Sequence, residues 1–183
     1  MLIPSVLIRR RALALLASTL LATLAAAIVP SPVLAHEPDV VRELRDRNAI
    51  EVLMWRYVRA LDALDAKAYA AVYTPDGRFT AGSMTAAGNA ALQQVIESYR
   101  QRRAEQQARG EPPTPPMHHI ITNTHIEFVD RDHARQDAYW MTVFEGQGEG
   151  QPPRVAAAGR SVDELVRVDG RWLIRTRDVT PRD

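Results

Sequence analysis

The stretch Gly110–Val129, GEPPTPPMHHIITNTHIEFV, is where the chain changes character. Its first seven residues hold four prolines and form a stiff loop that no helix crosses. Met117–Val129 is then rich in β-branched residues and reads as a strand. Three more strand-like runs follow, Ala134–Phe144, Arg154–Val168 and Trp172–Val179. They are separated by Asp130-Arg131-Asp132, by the Gly146–Pro153 loop, and by Asp169-Gly170, the strongest hairpin signal of the three. Upstream the period is helical. Asp39 is placed to cap a helix in which Ile50, Leu53, Tyr57, Leu61 and Leu64 form one apolar stripe, ending near Asp65. Ala66–Tyr73 predicts a short second helix, Thr74-Pro75-Asp76-Gly77 a turn, and Arg78–Ala81 a short strand. Gly88 opens a third helix with Leu92, Val95, Ile96 and Tyr99 on one face, and its polar end, Arg100–Arg109, reads as a solvated surface. Helices first and an antiparallel meander afterwards predict an α+β fold. A long curved sheet wrapped around such helices makes a cone with room for a small ligand inside.

Composition narrows the functions open to that fold. The chain has 183 residues, 23 Lys+Arg against 22 Asp+Glu, and no cysteine. Disulfides, thiolate metal sites and a cysteine nucleophile are thereby excluded. A formal charge of +1 supplies no basic excess to hold nucleic acid. Residues 1–35 read as a signal peptide. Arg9, Arg10 and Arg11 precede an uncharged run from Ala12 to Val29, Pro30-Ser31-Pro32 breaks it, and Val33-Leu34-Ala35 is a cleavage-like triplet. Arg10-Arg11-Ala12-Leu13 resembles part of a twin-arginine signal. Cleavage leaves a domain of residues 36–183 in the periplasm or medium, with no stable membrane anchor, and moves the formal charge to −2. A retained anchor is the competing reading of a run of that length.

Five blocks in order carry a family resemblance, the first of them made of two strings. Tyr57-Val58-Arg59-Ala60-Leu61-Asp62-Ala63-Leu64-Asp65 is followed by Tyr73–Gly77, by Gly88, by His119-Ile120-Ile121-Thr122-Asn123, and by Gly159-Arg160 with Asp163. Asp169-Gly170-Arg171-Trp172, with Arg175 and Arg177, closes the series. Together they resemble the SnoaL-like proteins of the nuclear-transport-factor-2-like superfamily over about residues 44–179. The resemblance implies a cone-shaped α+β fold, a homodimer through the sheet, and a pocket between helices and sheet. That superfamily includes scytalone dehydratase, ketosteroid isomerase, polyketide cyclases and binding modules without chemistry, so the fold does not choose among them.

In the scytalone-dehydratase pattern an aspartate at the end of the first helix and a histidine on the first long strand are catalytic. Asp62 and His119 match those positions. The pattern's tyrosines are missing: Leu61 precedes Asp62, and Arg78–Gly82 contains none. Tyr57 and Tyr73 are the substitutes the sequence offers for substrate binding, with Asn123 and Ser161 as further polar contacts. In a regular strand Asn123 would share a face with His119, roughly 13 Å away. A carboxylate and an imidazole sharing a proton in a partly apolar hollow can remove a proton alpha to a carbonyl or activate water, with neither metal nor cofactor. The alternative at Asp62 is an ion pair with Arg59 on the helix surface. His118 and His119 point to opposite faces of a strand and cannot turn to one metal ion. Asp65 is expected to terminate a helix, Asp163 to pair across strands with Arg175 or Arg177, and Trp140, Phe144 and Trp172 to be core. The expected function is an exported dehydratase, isomerase or hydratase acting on a small apolar, cyclic or polyketide-like molecule. The alternative is a module of the same fold that binds such a molecule, or oligomerises, without chemistry.

Overall fold

The computed structural model describes residues 39–148 and 150–181. The signal-peptide and cleavage-site readings lie outside the described residues. The order of elements is α1 (Asp39–Asp62), α2 (Ala66–Ala71), β1 (Tyr73–Ala81), β2 (Met84–Ala87) and α3 (Asn89–Ala108). Four long strands follow, β3 (Met117–Phe128), β4 (His133–Phe144), β5 (Arg154–Val168) and β6 (Arg171–Asp178). They form one curved six-stranded sheet in the order β2-β1-β6-β5-β4-β3. The α+β architecture and the antiparallel meander from β3 to β6 are as expected. Among the described residues, no helix is long and apolar enough to cross a membrane.

Two local expectations are corrected. Thr74–Gly77 is not a turn but part of β1, which runs parallel to β6 and is irregular between Tyr73 and Arg78. Proline and glycine there mark a bulge. A Cβ on Gly77 would stand 2.7 Å from the Tyr73 Cβ and 2.9 Å from the Thr74 carbonyl, so the close approach requires glycine. The second helix consequently stops at Ala71, with Tyr73 already in the sheet, and β2 was not foreseen. The third helix buries Leu92, Val95 and Ile96, whereas Tyr99 is exposed beneath the Arg102 guanidinium.

The α1 stripe is buried throughout, from Ile50 at 0% exposure to Leu61 at 7%. Each such side chain contributes roughly 1.5–3 kcal/mol by leaving water. Near the N-terminal end of α1, buried Asp46 accepts from Arg167 and from the Trp172 indole, which ties the helix to the β5–β6 hairpin. The other end is a Schellman turn. Leu64 adopts φ 52°, Asp65 N–H bonds the Ala60 carbonyl at 2.8 Å, and Leu64 N–H bonds that of Leu61 at 3.1 Å. Asp65 then caps α2 by accepting from Ala68 N–H, the structural role expected of it. Asp62 is therefore the last helical residue, held between an anchored helix and a tight turn.

Candidate functional site

The arrangement begins at that helix end. Asp62 Oδ1 lies 2.7 Å from His119 Nδ1 and also accepts the His119 backbone N–H at 3.0 Å. Both side chains are largely enclosed, at 11% and 17% exposure. The surface pairing of Asp62 with Arg59 does not occur; Arg59 stacks its guanidinium over Trp55. A carboxylate can only accept, so Nδ1 carries the proton and Nε2 is left basic. Burial holds the imidazole below its ordinary 6.5, against the opposing pull of Asp62, while Arg177 pushes the same way as burial. The ring is therefore neutral at neutral pH, oriented and charge-backed by Asp62.

His119 lines a cavity of about 450 Å³ between α1 and the strands β3 and β4. Met54, Trp55 and Val58 come from the helix, Ile121 from beside His119, and Gln136 from β4. The walls are mostly apolar, and Asp62 reaches the cavity only through the imidazole. Glu51, Ile120 and Thr124 complete the lining, and these three together with Trp55 are exposed, so the cavity opens to solvent on that side. Among the described residues, no group of three or more His, Cys, Asp or Glu side chains is arranged to hold a metal ion.

The other sequence candidates sit elsewhere. Tyr57 and Tyr73 are each 3% exposed and pack with Tyr69 in a three-ring cluster, with centroids 5.4–6.3 Å apart. Burial raises all three phenols, so they stay protonated. Ser161 is wholly buried on β5. Asn123 does not keep the regular spacing from His119: it takes φ 52° in a bulge between Thr122 and His125, and is exposed. His118 points outward to Glu145 at 2.7 Å, and His125 is exposed.

Behind the cavity is a polar row that the sequence reading only partly foresaw. Asp163 pairs with Arg177, directly opposite on β6, at 2.5 Å. This is the expected cross-strand pair, but both residues are fully buried rather than on a surface hairpin. Burial lifts Asp163 to about 6, with Arg177 pulling it back, so at neutral pH the carboxylate remains charged. The Arg177 guanidinium also lies 4.4 Å from the Tyr57 ring centroid. Gln136 and Met54 were missed. The one available signal was that Gln136 shares strand parity with Ala134 and Ala138, both buried.

A curved sheet closing on amphipathic helices is the fold of the nuclear-transport-factor-2-like class. Within it the chain belongs to the SnoaL-like domain family, whose model matches residues 42–178. Among solved structures, an NTF2-like protein with a cystatin-like fold from Novosphingobium aromaticivorans is 23% identical, with TM-score 0.63 over 79% of this chain and 87% of that one. A candidate scytalone dehydratase from the same organism is 23% identical, with TM-score 0.61 over 76% and 85% of the two chains. A Catenulispora acidiphila protein in complex with S-DNPA is also 23% identical, with TM-score 0.59 over 73% and 91%. No curated protein matches the chain by sequence.

Proposed function

We propose that this is an exported acid/base enzyme that dehydrates, isomerises or hydrates a small cyclic or polyketide-like compound. The observation that carries the reading is one imidazole, tied to Asp62 through Nδ1 and lining a largely apolar cavity of about 450 Å³. His119 Nε2 removes a proton alpha to a carbonyl, and the C–H electron pair moves into an enolate. Asp62 balances the imidazolium that results. In dehydration the enolate expels a β-hydroxyl, which leaves as water with the proton His119 returns; in isomerisation the proton returns to a different carbon. The S-DNPA complex of the Catenulispora acidiphila protein supports a small-molecule ligand.

We further propose a homodimer through the outer face of the sheet. Paired positions on that face, Ile120 with Met141 and Val143 with Val155, are apolar. Ile120, Tyr139 and Val155 are 42%, 55% and 58% exposed. That concentration on one face suits a partner better than water.

The test is turnover of residues 36–183 on cyclic ketones, phenolic alcohols and epoxides. His119→Ala should lower kcat by about 10²–10⁴-fold, the usual worth of a positioned acid/base group. Asp62→Asn should lower it less while the fold persists. Conversion unaffected by either substitution contradicts the mechanism. Ligand binding without conversion makes the cavity a binding site only.

A further inference from the structure

Below the cavity lies a set of polar groups that the Asp62–His119 pair does not use. Gln136, Asp163 and Arg177 stand opposite one another across β4, β5 and β6. Gln136 Nε2 donates to Asp163 Oδ2 at 3.3 Å, and Arg177 Nη1 donates to the same oxygen. The residues are 0%, 0% and 2% exposed. Yet three of their atoms are idle: Gln136 Oε1, Asp163 Oδ1 and Arg177 Nε lack hydrogen-bond partners among the described residues, as does Ser161 Oγ nearby on β5. Native interiors rarely leave several such atoms together. A row of them beside a cavity signals a missing partner.

Met54 touches both regions. It lines the cavity, and its sulfur lies 3.8 Å from Arg177 Nη1. An unbranched thioether changes rotamer at little cost. We propose that Met54 gates a concealed polar subsite, and that a hydroxyl on a neutral ligand displaces it to bond Gln136 Oε1 and the Asp163–Arg177 pair. The inference rests on reading the cavity as a small-molecule site.

The chemistry selects the ligand. A hydroxyl donates to Gln136 Oε1 or Asp163 Oδ1 and accepts from Arg177 Nε, meeting idle groups of both kinds. A carboxylate would confront Asp163, and an ammonium group Arg177, each beside a pair whose charges already cancel. A plain hydrocarbon would leave every idle atom idle. The subsite is thus a minor conformation that a hydroxylated ligand makes dominant.

Binding of 2-naphthol and of naphthalene, followed by calorimetry and by NMR of ¹³C-methyl methionine, tests this. The wild type should bind 2-naphthol at least about fivefold more tightly, the net worth of roughly one hydrogen bond. The Met54 methyl signal should shift more with 2-naphthol than with naphthalene. His119→Ala should keep that preference, and Gln136→Leu should lose it while still binding naphthalene. Equal affinities with an equally moved Met54 signal overturn the subsite but leave the cavity reading intact. A preference lost in His119→Ala also overturns it, since the hydroxyl then docks on the imidazole. Failure of both probes to bind contradicts the subsite and the cavity reading together. The wild-type Met54 signal decides the matter even if Gln136→Leu does not fold.

Discussion

His119 gains its usefulness from two opposed influences on one ring. Burial lowers its proton affinity, and Asp62 restores part of it while fixing which nitrogen carries the proton. Because the folded state binds this proton less tightly than the unfolded chain does, the unfolded chain is favoured as pH falls below 6.5. That loss of stability continues until pH passes below the lowered folded-state value. Asp163 has the opposite sign. Its folded-state affinity is raised to about 6 from 3.8, so the stability it contributes is complete below 3.8 and is lost as pH rises through about 6. Above that, the carboxylate depends on Arg177. On the proposed mechanism His119 is available as a base at neutral pH, and activity should fall only on acidification below 6.5.

At the scale of elements, the site depends on where α1 stops and on how β4 and β5 meet. The Schellman turn places Asp62 at the final helical position although Leu64, not glycine, occupies its left-handed residue. The strain is offset by burial of the Leu64 side chain at 6% exposure. On the sheet, Trp140 packs against Gly159, its registered partner, and donates its indole N–H to the Arg160 and Val179 carbonyls. A Cβ on Gly159 would lie 2.9–3.1 Å from three atoms of that indole. Gly159→Ala should therefore destabilise the fold by about 1–3 kcal/mol in urea denaturation, the usual cost of overpacking. An unchanged midpoint would show that Trp140 moves aside freely. These elements were unequally legible from sequence. The apolar periods announced α1 and the four long strands, because burial imposes 3.6 and 2 directly. Residues 74–77 misled, since proline and glycine mark bulges as readily as turns. Asn123 misled for a related reason: the bulge after Thr122 breaks the alternation on which its shared face with His119 depended.

For the molecule as a whole, the inner and outer faces of one sheet divide the work. The inner face and α1 border the cavity, with Ile120 at its rim, while the outer face presents Tyr139 and Val155. The pairing of Asp62 with His119 was readable only through family resemblance, because residues 57 apart share no local period. The buried row Gln136–Asp163–Arg177 was harder still, since depth in a cone is a property of closure rather than of any single strand. If the outer face joins two copies, Tyr139→Lys with Val155→Glu should shift sedimentation from dimer to monomer and leave the cavity unchanged. A wild-type monomer at micromolar concentration would remove the dimer proposal. The most direct test of the central claim is ¹⁵N NMR of the His119 ring across pH, with Asp62→Asn beside the wild type. The account predicts a neutral ring protonated on Nδ1, titrating below 6.5, with that tautomer preference weakened by Asp62→Asn. A ring protonated on Nε2 at neutral pH, or one titrating above 6.5, would contradict it.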